Sequence, residues 1–247
     1  MLTILLAAAC ASAPVVAHDI EPVVEPVVEP PVDQPAPLPA VTIDPDAYAI
    51  WGIDVSHHQH VIDWPVVAQQ ERVRFAFMKA TQGKTFTDDA FARNWSGARA
   101  AGLRVGAYHY YSFCSDSSSQ AAHFLSVVPR DADALPPVLD VEHLMNCATD
   151  PDPEKVRAEL RNWLVTVEAA TGKRPMVYAT SDVLADYFLG SELDYPLWVR
   201  ATPEDPEPVL QLPWKFLQYD DQHAIDGIDT TVDRDVFSGD EAAFKAL

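Results

Sequence analysis

The tripeptide Asp140-Val141-Glu142 is the segment of the chain whose residue types point most directly to chemistry. It closes an apolar run from Leu135 to Leu139 that predicts a short buried strand. Successive side chains of a strand alternate between its faces, so Asp140 and Glu142 point the same way. Cleavage of a glycosidic bond needs two carboxyl groups, one protonated and one ionised. The spacing makes a glycosidase the first hypothesis, although it more often marks a solvated or salt-bridged surface pair.

Apolar and β-branched runs along the chain predict eight strands, and helical patterns separate the first six. The predicted strands are 49–55, 75–80, 104–111, 137–141, 176–179, 196–199, 216–219 and 231–236. The clearest helix begins at Asp152-Pro153, which suit its N-cap and first turn, and stops at Gly172. Similar patterns run from Phe91 to Ala101 and from Ser117 to Val127.

Alternating strands and helices predict an α/β fold with a parallel sheet, closed as an irregular TIM-like barrel of about five βα units followed by three strands. Active sites of such barrels lie at the carboxyl ends of the strands. Ten candidate side chains fall at or near those ends, so we expect them to lie together at one end of the barrel. They are Asp54, Lys79, Tyr108, Tyr110, Asp140, Glu142, Tyr178, Trp198, Gln218 and Asp233.

Several motifs that occur in a fixed order extend this hypothesis. They are Gly52-Ile-Asp-Val-Ser-His-His-Gln59 with Asp63-Trp64, Phe75-Ala-Phe-Met-Lys-Ala-Thr-Gln-Gly83, Gly106-Ala-Tyr-His-Tyr110, Leu139-Asp-Val-Glu142, Pro196-Leu-Trp-Val199, Trp214-Lys-Phe-Leu-Gln-Tyr219 and Val232-Asp-Arg-Asp-Val-Phe237. Together they resemble the lysozymes of glycoside hydrolase family 25, the N-acetylmuramidases, over roughly Ala49 to Phe237. The resemblance implies the same barrel. It also implies hydrolysis of the β-1,4 bond between N-acetylmuramic acid and N-acetylglucosamine in peptidoglycan.

The family pattern implies that Glu142 is the general acid and base of this reaction. Two roles are open for Asp140. It either attacks the anomeric carbon directly or orients the substrate N-acetyl group so that the acetamido oxygen attacks; the second role is preferred, because the Asp-x-Glu pair resembles that of substrate-assisted hexosaminidases. The resemblance also places Asp54 and Asp233 in the acidic cluster, where their charges would raise the pKa of Glu142. Asp235, two residues further on the same face, is the rival of Asp233.

The remaining candidates are predicted to bind substrate. Aromatic faces pack against sugar C–H surfaces, so the expected platforms are Tyr108, Tyr110, Tyr178 and Trp198, and the strand ends add Lys79 and Gln218. No metal or other cofactor is predicted. Histidines are common metal ligands, but the spacing of the histidines in this chain does not resemble that of zinc ligands. The histidines considered are His57, His58, His60, His109 and His143.

The sequence departs from the family pattern at two points near the expected groove. Gln82 stands where a glutamate is common, and Arg200 stands near a position that is often small. Both differences put the preference among substrates in doubt. Two other functions stay open: a non-catalytic carbohydrate-binding barrel, and a chitinase-like hydrolase, whose motif would need an Asp where this chain has Val138.

The N-terminal region predicts export to the periplasm, the cell envelope or the exterior. Residues 1–17 read as a signal peptide, with Cys10 allowing a lipid anchor instead. Residues 18–46 are rich in Pro and Glu and predict a disordered tether, and residues 47–247 are the barrel domain. A net charge of −20 argues against nucleic-acid binding. The resemblance to family 25 implies that the partner is the peptidoglycan glycan strand.

Two cysteines are predicted to form a disulfide. Cys114 follows the third predicted strand and Cys147 the fourth, which are neighbours in a barrel, so both thiols would lie in loops over the same rim. An oxidising compartment would favour the bond.

Overall fold

The computed structural model describes residues 44–70, 72–143, 152–188, 194–201 and 212–247. Its strands are β1 (Trp51–Val55), β2 (Val73–Gln82), β3 (Phe86–Thr87), β4 (Arg104–Tyr110), β5 (Val138–Val141), β6 (Met176–Ala179), β7 (Leu197–Arg200), β8 (Trp214–His223) and β9 (Val232–Phe237). Its helices are α1 (Trp64–Val67), α2 (Phe91–Ala100), α3 (Ser117–Val127), α4 (Pro153–Thr171), α5 (Ser181–Val183), which continues as a π-helical turn (Leu184–Phe188), and α6 (Glu241–Lys245). None of the helices in these ranges is long and apolar enough to cross a bilayer. The predicted signal peptide and most of the tether lie outside the described residues.

Eight strands close a barrel in the order β1, β9, β8, β7, β6, β5, β4, β2 and back to β1. The pairings from β1 through β2, β4, β5, β6 and β7 to β8 are parallel, and helical segments follow β1, β3, β4, β5 and β6. The predicted α/β barrel is confirmed, and all eight predicted strands are present.

Two features of the sheet differ from the prediction. The first is β3, which pairs only with β2 and whose two residues are both exposed, so it carries no hydrophobic alternation. The second is the direction of β9, which runs antiparallel to both β8 and β1. A parallel sheet was expected throughout. An alternating pattern reports which faces a strand buries but not its direction, and a short connection after β8 favours an antiparallel neighbour.

Helix α4 shows how local sequence sets an element. The Asp152 carboxylate caps it by accepting a hydrogen bond from the Glu154 N–H, Pro153 occupies the first turn, and Gly172 ends it with a φ of 72°. Residues at helical spacing bury one face, as predicted: Val156, Leu160, Trp163, Leu164 and Val167.

Strand alternation divides the apolar side chains into two layers. One layer packs between the strands and the surrounding helices, and the other fills the barrel interior and is dominated by aromatic rings. Two glycines make room for those rings, because a Cβ atom at Gly52 would lie 2.3 Å from the Phe75 ring and one at Gly106 would lie 2.3 Å from the Phe77 ring. The lower barrel is therefore a packed plug rather than a channel.

The same alternation places polar side chains above the plug. Lys79 follows Phe77 by two residues on the interior face, and Asp140 follows Val138 in the same way. On β9 the order is reversed: Phe237 lies in the plug and Asp235 and Asp233 lie above it, because this strand runs the other way. The antiparallel direction of β9 therefore carries Asp233 to the barrel mouth.

His109 lies on the outer face of β4 and belongs to the core. It is 0% exposed, stacks on Trp163 with ring centroids 5.6 Å apart, and its ring nitrogens hydrogen-bond with Thr81 Oγ1 at 2.7 Å and Gln120 Oε1 at 3.1 Å. Burial lowers the pKa of His109 to about 3. This histidine is neutral and structural, and it lies outside the cleft at the mouth.

Candidate active site

A cleft of about 710 Å³ opens at the barrel mouth. All ten predicted site residues line it, so the structure brings together side chains that the sequence separates widely. They are Asp54, Lys79, Tyr108, Tyr110, Asp140, Glu142, Tyr178, Trp198, Gln218 and Asp233.

Asp233 reaches the cleft from the amino-terminal half of its strand. It lies opposite Asp54 in the antiparallel register of β1 and β9, whereas Asp235 lies opposite Gly52. Asp235 is 0% exposed and sits beneath the cleft. Of the two rival carboxyls, Asp233 faces the space where a substrate would lie.

A buried hydrogen-bond network joins the walls of the cleft. The Tyr178 hydroxyl donates to Gln218 Oε1 at 3.0 Å, and Gln218 Nε2 donates to Asp54 Oδ2 at 2.7 Å. Below it, Trp198 Nε1 donates to Asp235 Oδ1 at 2.9 Å. The amide of Gln218 thus both accepts and donates, which fixes its orientation and that of Asp54.

Asp140 and Glu142 form a coupled pair at the end of β5. Asp140 is only 5% exposed, and burial is the main cause that raises its pKa, followed by the charge of Glu142. Burial also raises the pKa of Glu142, while a hydrogen bond shared with Asp140 opposes that rise. The two carboxyls therefore titrate as one unit that retains a proton above the usual range of carboxylic acids.

One oxygen of Asp140 is a buried acceptor without a hydrogen-bond donor among the described residues. Asp140 Oδ1 is inaccessible to solvent and accepts no hydrogen bond within the described part of the chain. Such an atom costs free energy unless a donor reaches it.

Three further aspartates near this pair have raised pKa values. Burial raises the pKa of Asp54 well above its usual range, and the charge of Asp235 adds to the effect. Burial and the charge of Asp54 raise the pKa of Asp233 to about 9. Asp235 is shifted in the same direction, mainly by burial. The cluster therefore carries fewer negative charges near neutral pH than its number of carboxyls suggests.

The four aromatic candidates differ in how much surface they present. Tyr108 and Tyr110 are half-buried in the cleft wall. Tyr178 is 6% exposed and Trp198 2%, and Trp198 stacks on Phe77 with centroids 4.6 Å apart. The first two offer faces to a sugar, whereas the last two mainly support the floor; the role of all four in binding stays a prediction.

Lys79 stands beside the carboxyl pair on β2. Its Nζ donates to Gln82 Oε1 at 2.8 Å and lies 4.6 Å from the centroid of the Tyr110 ring. Burial lowers its pKa, and the charge of Asp140 opposes this. Gln82, which departs from the family pattern, thus has a defined function in this chain as the amide that orients Lys79.

Several residues that line the cleft rim were not predicted as site residues from the sequence. They are Ser56, His58, Gln59, His143, Thr180, Ser181, Asp182 and Asp221. Arg200 also lines the cleft, but the sequence marked it only as a difference from the family pattern. A signal existed for Arg200, because it follows Trp198 by two residues and shares its face. No comparable pattern marks Asp221, which reaches the rim through its ion pair with Arg200 at 2.8 Å.

Cys114 is disulfide-bonded in the structure. Its predicted partner, Cys147, lies outside the described residues, so the pairing stays a prediction. Across the described ranges, no group of three or more His, Cys, Asp or Glu side chains has an arrangement that would hold a metal ion.

Comparison with known proteins agrees with this architecture. The family model for glycosyl hydrolases family 25 matches residues 53–228. Lysozyme M1 of Streptomyces globisporus is 32% identical over 83% of this chain and 74% of its own length, and YegX of Escherichia coli K12 is 38% identical over 82% and 75%.

Solved structures show the same likeness. A family 25 glycosyl hydrolase from Bacillus anthracis superposes with a TM-score of 0.76 at 35% identity, covering 82% of this chain and 94% of the other. A bacterial lysozyme from Streptomyces coelicolor gives a TM-score of 0.71 at 30% identity, covering 81% and 96%. The barrel with its acidic mouth, the family match and these relatives agree: the chain belongs to glycosyl hydrolase family 25 and is a glycoside hydrolase.

Proposed function

We propose that this enzyme is a lysozyme that hydrolyses the β-1,4 bond between N-acetylmuramic acid and N-acetylglucosamine in peptidoglycan, with Glu142 as general acid and base. The observation that carries the proposal is the coupled pair of Asp140 and Glu142, buried at the end of β5 and facing the cleft. Relatives described as lysozyme, autolytic lysozyme and N,O-diacetylmuramidase support the substrate class.

Glu142 is suited to donate the proton to the leaving oxygen. Burial raises its pKa, so a protonated form persists at a pH at which an exposed glutamate is ionised. It is less buried than Asp140 and therefore lies nearer to the space that a glycan would occupy. After the leaving sugar departs, the ionised Glu142 accepts a proton from the attacking water.

Asp140 is suited to assist the N-acetyl group of the substrate. Asp140 lines the cleft, and the acetamido N–H would donate to its carboxylate, which turns the acetamido oxygen towards the anomeric carbon. The separation of the two carboxyls favours this role over direct attack. Asp140 and Glu142 are close enough to share a hydrogen bond, whereas a nucleophile and its acid usually lie about 5–5.5 Å apart.

Two features of the cleft support a glycan as the substrate. Tyr108 and Tyr110 present partly exposed rings in the wall, as expected for stacking on sugar rings. Hydrogen-bonding groups of Asp233, Thr180 and Gln59 border the same space. A cleft of about 710 Å³ accommodates more than one sugar ring, as an enzyme that cleaves within a strand requires.

Export is part of the proposal, because peptidoglycan lies outside the cytoplasmic membrane. Residues 1–17 would direct it and residues 18–46 would hold the barrel away from the point of attachment or cleavage. Lipidation of Cys10 would make that attachment a membrane anchor.

A turbidity assay on purified peptidoglycan and on chitin tests the proposed substrate. A lysozyme clears peptidoglycan, whereas a chitinase-like enzyme clears chitin. Products with N-acetylmuramic acid at their reducing ends are expected, and N-acetylglucosamine there would refute the bond assignment. Mass spectrometry addresses the role of Asp140, because a glycosyl group trapped on that residue would show direct attack instead of substrate assistance.

A further inference from the structure

Arg200 occupies a position in the cleft that the proposed reaction does not use. It is the last residue of β7, shares the interior face with Trp198, and lies opposite Gln218 in the register of β7 and β8. Its side chain lines the cleft and is 26% exposed. A glycan in the cleft would therefore pass within reach of the guanidinium.

The electrostatics of the cleft make this cation unusual. Its lining includes six carboxyl groups, those of Asp54, Asp140, Glu142, Asp182, Asp221 and Asp233, and two Lys or Arg side chains, Lys79 and Arg200. Arg200, Glu142 and Asp233 line the same cleft, and the charge of Arg200 lowers the pKa of the other two.

Lys79 and Arg200 have different partners among the described residues. Lys79 Nζ lies over the Tyr110 ring and donates to Gln82, and the charge of Asp140 raises the pKa of Lys79 against the effect of burial. Arg200 Nη2 donates to Asp221 Oδ2 at 2.8 Å, and both side chains of this pair are about a quarter exposed, at 26% and 28%. A guanidinium has five donors in a planar fork and can bind a second carboxylate beside the first.

We propose that Arg200 is a specificity-determining residue that binds a carboxylate of the muramoyl unit beside the cleaved bond. The inference rests on the proposed lysozyme function. In strands without peptides this carboxylate is that of the lactyl group, whereas in strands that keep their peptides the lactyl group is an amide and the carboxylates belong to the peptide. Because Arg200 lines the same cleft as Glu142, the proposed acid at the cleaved bond, the lactyl carboxylate is the expected ligand.

Three matched substrates test the proposal. They are glycan strands that keep their peptides, strands freed of peptides by an amidase, and peptide-free strands whose lactyl carboxyls have been converted to methylamides. We expect wild-type kcat/KM on peptide-free strands to exceed that on methylamide strands by about tenfold or more, the size of a hydrogen bond to a charged group. The difference should lie mainly in KM. Preference for peptide-bearing strands over peptide-free strands would assign the carboxylate to the peptide instead.

The ratio between the two peptide-free substrates is the decisive quantity, because any general loss of folding or turnover cancels in it. Arg200→Ala should bring the ratio close to one, and Arg200→Lys should retain part of it. Asp221→Asn is the matched control, since it removes the partner but keeps the cation, and should preserve the preference. Dissociation constants of the two strands measured with the inactive Glu142→Gln variant should show the same ratio without turnover.

The outcomes separate this inference from the proposed function. Equal cleavage of both peptide-free substrates by the wild type, or a preference that survives Arg200→Ala, overturns the role of Arg200 and leaves the lysozyme function intact. Absence of cleavage of every peptidoglycan substrate overturns the proposed function, and this inference with it.

Discussion

Asp54 of β1 lies directly opposite Asp233 of β9 in the antiparallel register that closes the barrel. The two residues come from the first and last strands of the barrel, and burial together with the charge of Asp54 raises the pKa of Asp233 to about 9. Gln218 holds Asp54 from below with a 2.7 Å hydrogen bond. The site therefore combines Asp233, a carboxyl that retains its proton, with the largely buried pair of Asp140 and Glu142 that performs the proposed reaction.

Glu142→Gln should reduce hydrolysis of peptidoglycan by about a hundredfold or more, because the change removes a proton donor while keeping the shape of the side chain. Binding of glycan strands and the melting temperature should change little. Release of reducing ends and calorimetric binding measure the two effects. Glu241→Gln, at an exposed position in α6, is the matched control and should behave as wild type. A Glu142→Gln enzyme with more than about a tenth of the wild-type rate contradicts the assignment.

Asp140→Asn should also cost about a hundredfold or more in kcat, since it weakens the acceptor that would orient the acetamido group. Asp89→Asn, an exposed aspartate outside the cleft, controls for the chemical change. A substrate lacking the N-acetyl group should be cleaved poorly by the wild type and should lose little further activity on Asp140→Asn. Equal losses on both substrates would argue against substrate assistance.

The free energy of unfolding should decrease as the pH rises from about 7 to 9. Burial raises the pKa of Asp233 to about 9 in the folded state, so the folded protein holds a proton that the unfolded chain releases near pH 4. This stabilisation is complete when the pH is below the pKa of Asp233 in the unfolded chain, and it is lost as the pH rises to the pKa of Asp233 in the folded protein. The buried His109 has the opposite effect on stability, because its pKa is about 3 in the folded protein and about 6.5 in the unfolded chain. Its contribution is lost as the pH falls below about 6.5, so the stabilities are compared above pH 6.5.

Thermal unfolding of the wild type and of Asp233→Asn at pH 7 and pH 9 checks this dependence. The wild type should lose about 2–4 °C or more between the two values, which corresponds to about 1 kcal/mol for a domain of this size. The variant should lose less, because its amide does not titrate. Identical slopes in the two proteins would show that Asp233 is not a proton-retaining group.

Cys114 and Cys147 should form a disulfide in exported material. Cys114 follows β4 at an exposed position, and β5, which the predicted partner follows, pairs with β4. Peptide mapping without reductant should recover the two peptides linked, and Cys114→Ser should abolish the link. Free thiols at both positions in periplasmic material would contradict the pairing.

Removal of residues 18–46 should leave the melting temperature within about 2–4 °C of the wild type. The described contacts that would be lost are a single 3₁₀ turn, in which the N–H groups of Ala47 and Tyr48 donate to Asp44 O and Pro45 O, and an exposed ion pair. The ion pair joins Arg72 Nη1 and Asp46 Oδ1 at 3.0 Å, and its side chains are 36% and 76% exposed. Such exposed pairs contribute about 0–1 kcal/mol. Scanning calorimetry measures the effect, and a larger fall in melting temperature would mean that the segment packs on the barrel.

Much of the fold follows from local pattern alone. The run before Asp140 predicts a strand over 137–141, and the structure has one over Val138–Val141. Asp152, Pro153 and Gly172 predict the bounds of α4, because capping and the left-handed C-cap depend on only a few neighbouring residues. The alternation that puts Asp140 and Glu142 on one face is equally local, so the sequence by itself determines the reactive pair.

The relationships among distant residues were decided only by the tertiary structure. Alternation reports a face and not a direction, so the pattern within β9 does not show that this strand is reversed and that Asp233 rather than Asp235 lines the cleft. An aromatic residue at a strand end has the same pattern whether it faces solvent or, like Trp198, stacks on Phe77 beneath the cleft. The bonds from Gln218 to Asp54 and from Arg200 to Asp221 likewise depend on which strands become neighbours when the barrel closes. Strand order and direction arise from packing of the whole chain, and the pKa values that define this site arise from the burial that such packing creates.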